Sequence, residues 1–182
     1  MPDALKHALR QHHRAARQAF AAGLTPANRD ALEAALAALA APLLAGCHYP
    51  ASYAAMPEEI SPRGITGTFA LPRIGAYGLS FHICPVADLV PGHAGILQPP
   101  ATAPRVTPDL LLVPLVAVTP AGDRLGQGKG YYDRFLEANP GVRTIALAWD
   151  IQVADTLPSD PWDIAVDFVA TPTRLFDCAR LR

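Results

Sequence analysis

The chain has 182 residues, 51% of them apolar, a formal net charge of −1 and three cysteines. That suffices for one domain with a real core and argues against general nucleic-acid binding. Cys47, Cys84 and Cys178 are odd in number and widely spaced, so they suggest neither a metal-ligand pattern nor a disulfide framework, and a reducing cytosol fits. The first residues show no apolar signal region, and the longest apolar stretch, Ala34 to Cys47, is broken by Pro42 and too short to span a bilayer.

Residues 3–21 read as a helix, with Leu5, Leu9, Ala16 and Phe20 on one face. Lys6, Arg10, Arg14 and Arg17 form a second stripe. By itself this is a solvated basic face; cations in such a row also suit a triphosphate. Thr25-Pro26 is a cap followed by proline at the first helical position. The helix it opens carries a stripe of Leu32, Leu36, Leu39 and Leu43 and reads as scaffold. Gly46-Cys-His-Tyr49 opens a strand. In Met56-Pro-Glu-Glu-Ile60 two carboxylates read, without context, as a surface turn. Leu71-Pro-Arg73 and Leu79 to Ile83 read as strands, and Gly95 to Pro99 as a loop.

The most informative stretch follows. Leu110 to Val113 is a short apolar run stopped by Pro114, which suits a strand buried on both faces. Arg124-Leu-Gly-Gln-Gly-Lys-Gly-Tyr-Tyr-Asp-Arg-Phe-Leu136 then reads as a glycine-rich turn entering a helix. Gly126, Gly128 and Gly130 let backbone N–H groups close on an anion at a helix N-terminus. Lys129 adds a flexible charge, and Asp133 falls in the first helical turn, where it suits a hydrated Mg²⁺. The spacing is neither a Walker A loop nor a dinucleotide fingerprint. A phosphate loop and a glycine connection that merely packs are equally open on spacing alone. Arg143 to Trp149 reads as another apolar strand, and Asp163 and Asp167 as a turn and a strand-edge residue.

The whole string from Arg124 to Leu136 resembles the signature of the 5-formyltetrahydrofolate cyclo-ligase family, also called methenyltetrahydrofolate synthetases. Weaker similarity runs from Lys6 to Thr171. The resemblance implies a single α/β domain over residues 1–182, Rossmann-like and three-layered, with a mostly parallel sheet flanked by helices. It implies that Lys6, Arg10, Arg124, Gly126, Gln127, Gly128, Lys129, Gly130, Tyr131 and Tyr132 bind ATP, with Lys129 and Arg124 catalytic. It implies that Met56, Glu59, Gln98 and Tyr132 hold the reduced folate, and that Asp133 and Asp167 face each other across Mg²⁺, with Asp163 as the alternative to Asp167. Family members usually carry a helix after the Glu59 position; here Ser61 to Thr68 is short and holds Pro62, Gly64 and Gly67. Many members have His where Trp162 stands, and no role is assigned to it.

The implied reaction is the ATP-dependent closure of 5-formyltetrahydrofolate to 5,10-methenyltetrahydrofolate, by a cytoplasmic monomer with small-molecule partners only and no membrane or nucleic-acid role. Two alternatives stand beside it. One is a non-catalytic nucleotide- or folate-binding protein on the same fold; the other is a kinase or ATPase of another small molecule.

Overall fold

The computed structural model describes residues 2–92 and 95–181. Two helices come first, α1 (Pro2–Gly23) and α2 (Pro26–Ala40), followed by a 3₁₀ turn over Ala41–Leu44. Thr25 caps α2 as expected, its Oγ1 accepting the Asn28 N–H at 3.2 Å. The strands are β1 (Pro50–Ala51), β2 (Leu71–Gly75), β3 (Gly78–His82), β4 (Val90–Pro91), β5 (Leu97–Gln98), β6 (Arg105–Val106), β7 (Leu110–Pro114), β8 (Ala117–Val118) and β9 (Arg124–Leu125). Helix α3 (Tyr131–Ala138), β10 (Arg143–Leu147), β11 (Phe168–Ala170) and β12 (Leu175–Asp177) complete the chain. No helix among the described residues is long and apolar enough to cross a membrane.

The main sheet runs β1-β7-β10-β11-β12, parallel except for the antiparallel β12. Its central strands are apolar on both faces, as parallel strands covered on both sides must be. Leu110 and Leu112 of β7, with Ile145 and Leu147 of β10, pack with Leu36, Ala37 and Ala40 of α2 and with Trp149. Leu111, Val113 and Ala146 point the other way, to Phe135 and Leu136 of α3 and Phe81 of β3. The period-two alternation therefore divides one apolar run between two cores. Strands β2, β3 and β6 form a separate antiparallel sheet on the α3 side. The expected three-layer α/β architecture with a mostly parallel sheet is present.

Of three local expectations, two change and one, the lack of a full helix after Glu59, is met. The 95–99 loop contains a short strand, since Leu97 and Gln98 pair with Pro91 and Val90. The segment after Glu59 carries a single 3₁₀ turn, Pro62–Gly64. That turn lies directly on α2: a Cβ at Gly64 would stand 3.1 Å from the Ala37 Cβ. Thirdly, the basic stripe of α1 is not a solvated face. Lys6 is 5% and Arg17 1% exposed, whereas Leu5 is 54% exposed. The helix turns its cations inward because what they meet is a set of carboxylates and carbonyls.

Candidate active site

A cavity of about 600 Å³ opens between α1, the segment after β1, the β2–β3 hairpin and the stretch from Arg124 to Asp133. Ala54 and Pro114 on its wall follow or end β1 and β7, so it lies at the carboxyl ends of parallel strands, where open α/β sheets bind ligands. Of the residues expected to act, Lys6, Arg10, Met56, Glu59, Gln98 and everything from Arg124 to Asp133 line it.

The glycine loop leaves β9 and enters α3 through two left-handed residues, Gly128 at φ 90° and Gly130 at φ 63°, a region that side chains beyond glycine rarely adopt. Gly130 caps α3 without a side-chain hydrogen bond, and a helix entered this way keeps N–H groups for an anion. Helix α1 braces the loop. Arg10 Nε donates to the Gly126 carbonyl at 3.0 Å, and Arg14 donates to the Gln127 side chain and carbonyl. Arg14 and the exposed Gln127 side chain thus fasten the loop to the helix. Lys129 is exposed, lines the cavity and has no ion-pair partner among the described residues.

Along α1 the inward cations meet three different partners in order. Arg17 meets Glu58 and Glu59, Arg10 meets the loop, and Lys6 meets Asp160, at 2.6 Å, and Asp163. At 1.5 Å of rise per residue, Lys6 and Arg17 are separated by roughly 16 Å along the axis. The helix runs along the cavity, with Lys6 and Arg10 in its wall.

At one end Glu59, 6% exposed, has Oε1 3.3 Å from Arg17 Nη1 and Oε2 accepting the Met56 N–H at 3.0 Å. Burial raises its pKa; the Met56 N–H and Arg17 oppose the rise and Glu58 adds to it. Tyr132, from α3, has its phenol pushed well up by burial and by the field of Glu59, so it is a neutral hydroxyl in the physiological range. Gln98 is buried, with Oε1 accepting the Ile74 N–H at 3.1 Å.

At the other end burial works against the Lys6 ammonium, but its hydrogen bonds to Asp160 and Asp163 and their charges raise its pKa on balance. Burial likewise opposes the Asp163 carboxylate, yet Lys6 and the Asp160 N–H hold it below the usual carboxylate range. Asp160 was not expected in the site; Asp163 was the alternative to Asp167 as the second carboxylate, and of the two it is Asp163 that lines the cavity. Their signal in the sequence is two carboxylates across a Pro-Trp turn, which Asp163 closes by accepting the Asp160 N–H at 2.8 Å.

Between the ends, Asp133 Oδ1 takes both Arg124 Nη2, at 2.6 Å, and the Ile164 N–H. Asp167 does not face it. Its Oδ2 accepts the Thr144 N–H at 2.8 Å and the Thr144 hydroxyl at 2.9 Å. That ties it to the start of β10, at the end of the sheet away from the cavity. The expectation of an Asp133–Asp167 pair is therefore corrected: one residue lies before β11, whereas metal-phosphate chemistry needs the carboxyl ends. Among the described residues no group of three His, Cys, Asp or Glu could hold a metal by itself. Mg²⁺ needs only one or two carboxylates when phosphates and water supply the other oxygens. Asp133, whose protein contacts both fall on Oδ1, fits that requirement.

Residues 76–172, more than half of the chain, match the sequence model of the 5-formyltetrahydrofolate cyclo-ligase family. The chain belongs to this family. Among relatives, it is 35% identical over 105 residues to 5-formyltetrahydrofolate cyclo-ligase from Escherichia coli K12, covering 54% of this chain and 57% of that one. It is 40% identical over 91 residues to the Mycolicibacterium smegmatis cyclo-ligase, covering 47% of each. The matched region spans about half the length of these cyclo-ligases. The fold agrees much further: the NMR structure of Aquifex aeolicus 5,10-methenyltetrahydrofolate synthetase superposes with a TM-score of 0.81 at 28% identity, over 96% of this chain and 93% of that one. The Mycoplasma pneumoniae synthetase shares the fold, with a TM-score of 0.69 at 21% identity, over 92% of this chain and 98% of that one.

Proposed function

We propose that this cyclo-ligase-family chain converts 5-formyltetrahydrofolate to 5,10-methenyltetrahydrofolate using ATP, with release of ADP and phosphate. The observation that carries the reading is a single cavity with two unlike ends. A glycine loop, whose lysine has no ion-pair partner among the described residues, shares it with the buried Glu59 carboxylate and Gln98 amide and with the Tyr132 phenol. The first suits phosphates; the second suits the donors and acceptors of a pterin ring.

The chemistry needs both ends. A formamide carbon is a poor electrophile and its oxygen a poor leaving group. Attack of the formyl oxygen on the γ-phosphorus forms a P–O bond and breaks the bond to ADP. N10 then attacks the formyl carbon and loses its proton, and the C–O bond breaks with phosphate departing. The protein has to position both substrates and stabilise charge on the moving phosphoryl. Loop N–H groups and Arg10 hold the phosphate chain, Lys129 and Arg124 meet the developing charge, and Glu59, Gln98, Met56 and Tyr132 orient the folate. Asp133 would hold Mg²⁺, which when bound with ATP neutralises phosphate charge.

The test is turnover by the purified chain with MgATP and 5-formyltetrahydrofolate, followed by the near-ultraviolet absorbance of the methenyl product and by ADP. One ADP per methenyl group is expected, with none released when the folate is omitted. Folate-independent ADP release, or binding of both ligands without product, would refute it.

A further inference from the structure

Unlike Lys6 and Arg10, Arg17 stays outside the cavity wall, and it is 1% exposed. It reaches Glu58 Oε1 at 3.0 Å, Glu59 Oε1 at 3.3 Å and the Leu115 carbonyl at 3.0 Å. We propose that Arg17 is the positioning residue for Glu59, holding its carboxylate aimed into the folate end of the cavity. This rests on the reading that Glu59 binds the reduced folate.

Three observations converge on it. First, the segment around Glu59 has no helix to fix it, only the 3₁₀ turn beyond. It is fixed by hydrogen bonds from elsewhere. Arg29 donates to the Pro57 and Glu59 carbonyls, Trp149 Nε1 to the Glu58 carbonyl at 3.0 Å, and Tyr53 to the Ile60 carbonyl at 2.7 Å. These hold the backbone. Arg17 is the cation that reaches the two side-chain carboxylates. Second, the arrangement is costly. A buried ion pair is weak evidence for stability, and apolar residues often replace one without loss. Arg17 Nε is moreover buried with no hydrogen-bond partner among the described residues. A cost of this kind points to a role besides packing. Third, apart from the Met56 N–H, the surroundings of Glu59 do little to offset the burial of its charge. Glu59 is buried, and the Glu58 carboxylate lies beside it. Among the described residues only Arg17 faces it with opposite charge at salt-bridge distance.

Burial favours protonation of Glu59, and Arg17 opposes it. Without Arg17 the proton binds more readily, so the carboxylate persists only at higher pH. The experiment measures 5-formyltetrahydrofolate and ATP binding directly on the purified full chain, from pH 5 to 8, for wild type, Arg17→Met, Arg17→Lys and Glu59→Gln. Arg17→Met should weaken folate binding roughly 10- to 100-fold, the size of losing a hydrogen bond to a charged group. ATP binding should change less than about threefold, and the acid limb of folate affinity should move to higher pH. Arg17→Lys keeps the charge but lacks the fork that spans both carboxylates. It should lose roughly three- to tenfold in folate affinity while keeping the limb near its wild-type position. Equal losses for ATP and folate, or wild-type folate binding in Arg17→Met, would overturn the proposal. If Arg17→Met does not fold, wild-type folate affinity in Arg17→Lys overturns it. Wild-type folate affinity in Glu59→Gln removes Glu59 from the folate site, and the Arg17 role with it; weak binding in Glu59→Gln beside normal binding in Arg17→Met removes only Arg17.

Discussion

Replacing Lys129 by alanine separates the chemistry of the loop from its architecture. The side chain is exposed, stands between two left-handed glycines and has no ion-pair partner among the described residues. Its backbone carbonyl, which accepts from Arg134 at 3.0 Å, survives the substitution. The fold therefore loses almost nothing. A surface change of this kind costs within about 0.5 kcal/mol, or roughly 1–2 °C in Tm for a chain of this size. ATP should still bind, because Arg10 and the loop N–H groups remain. If the ammonium follows the γ-phosphoryl as it moves, its contribution is larger in the transition state than in the ground state. Loss of one positioned donor to developing charge lowers kcat by roughly 10²–10³-fold. Steady-state kinetics at saturating ATP and 5-formyltetrahydrofolate, with ATP affinity measured separately, tests this. Wild-type kcat would make Lys129 a bystander. A kcat loss matched by an equal loss of ATP affinity would make it a binding residue only.

The other predictions follow from the same geometry. Arg10→Ala removes the brace on the Gly126 carbonyl and should weaken ATP by roughly tenfold, read by titration, with little change in helix content because alanine favours helix. Asp133→Asn should raise the Mg²⁺ concentration needed for half-maximal rate, whereas Asp167→Asn should leave that titration unchanged and lower Tm by a few degrees, about 1 kcal/mol through its Thr144 contacts. The Lys6–Asp163 contact predicts a pH effect. The Asp163 pKa is depressed in the folded chain, so its stabilisation is present above the unfolded value near ~3.9 and is lost as pH falls through the lower folded value. Thermal melts between pH 2 and 6 should show a shallower acid limb in Lys6→Met than in wild type; identical limbs would refute the coupling.

The elements that sequence shows best are those whose residues face only apolar neighbours or only the chain itself. Leu110 to Val113 announces a strand covered on both faces, and Thr25-Pro26 announces a helix start; both are present where expected. The glycine loop is legible for another reason: its geometry depends on Gly128 and Gly130 themselves, at positive φ, not on distant contacts. Asp167 was misplaced because a carboxylate just before a strand can cap the neighbouring strand or reach a ligand, and only the Thr144 partner, 23 positions earlier, decides between them. Helix α1 is the sharpest case. Its periodicity marks two stripes but cannot say which one faces inward. The usual assumption, apolar in and charged out, holds where a helix covers a core. Much of α1 covers a cavity and the carboxylates around it. Lys6 is buried by Asp160 and Asp163, and Arg17 by Glu58 and Glu59, all partners at least 41 residues away in sequence. A charged stripe can be buried only where compensating charge is brought to it. The inward turn of α1 is thus decided by the acidic turns that the rest of the fold delivers to it, and those same turns bound the two ends of the cavity.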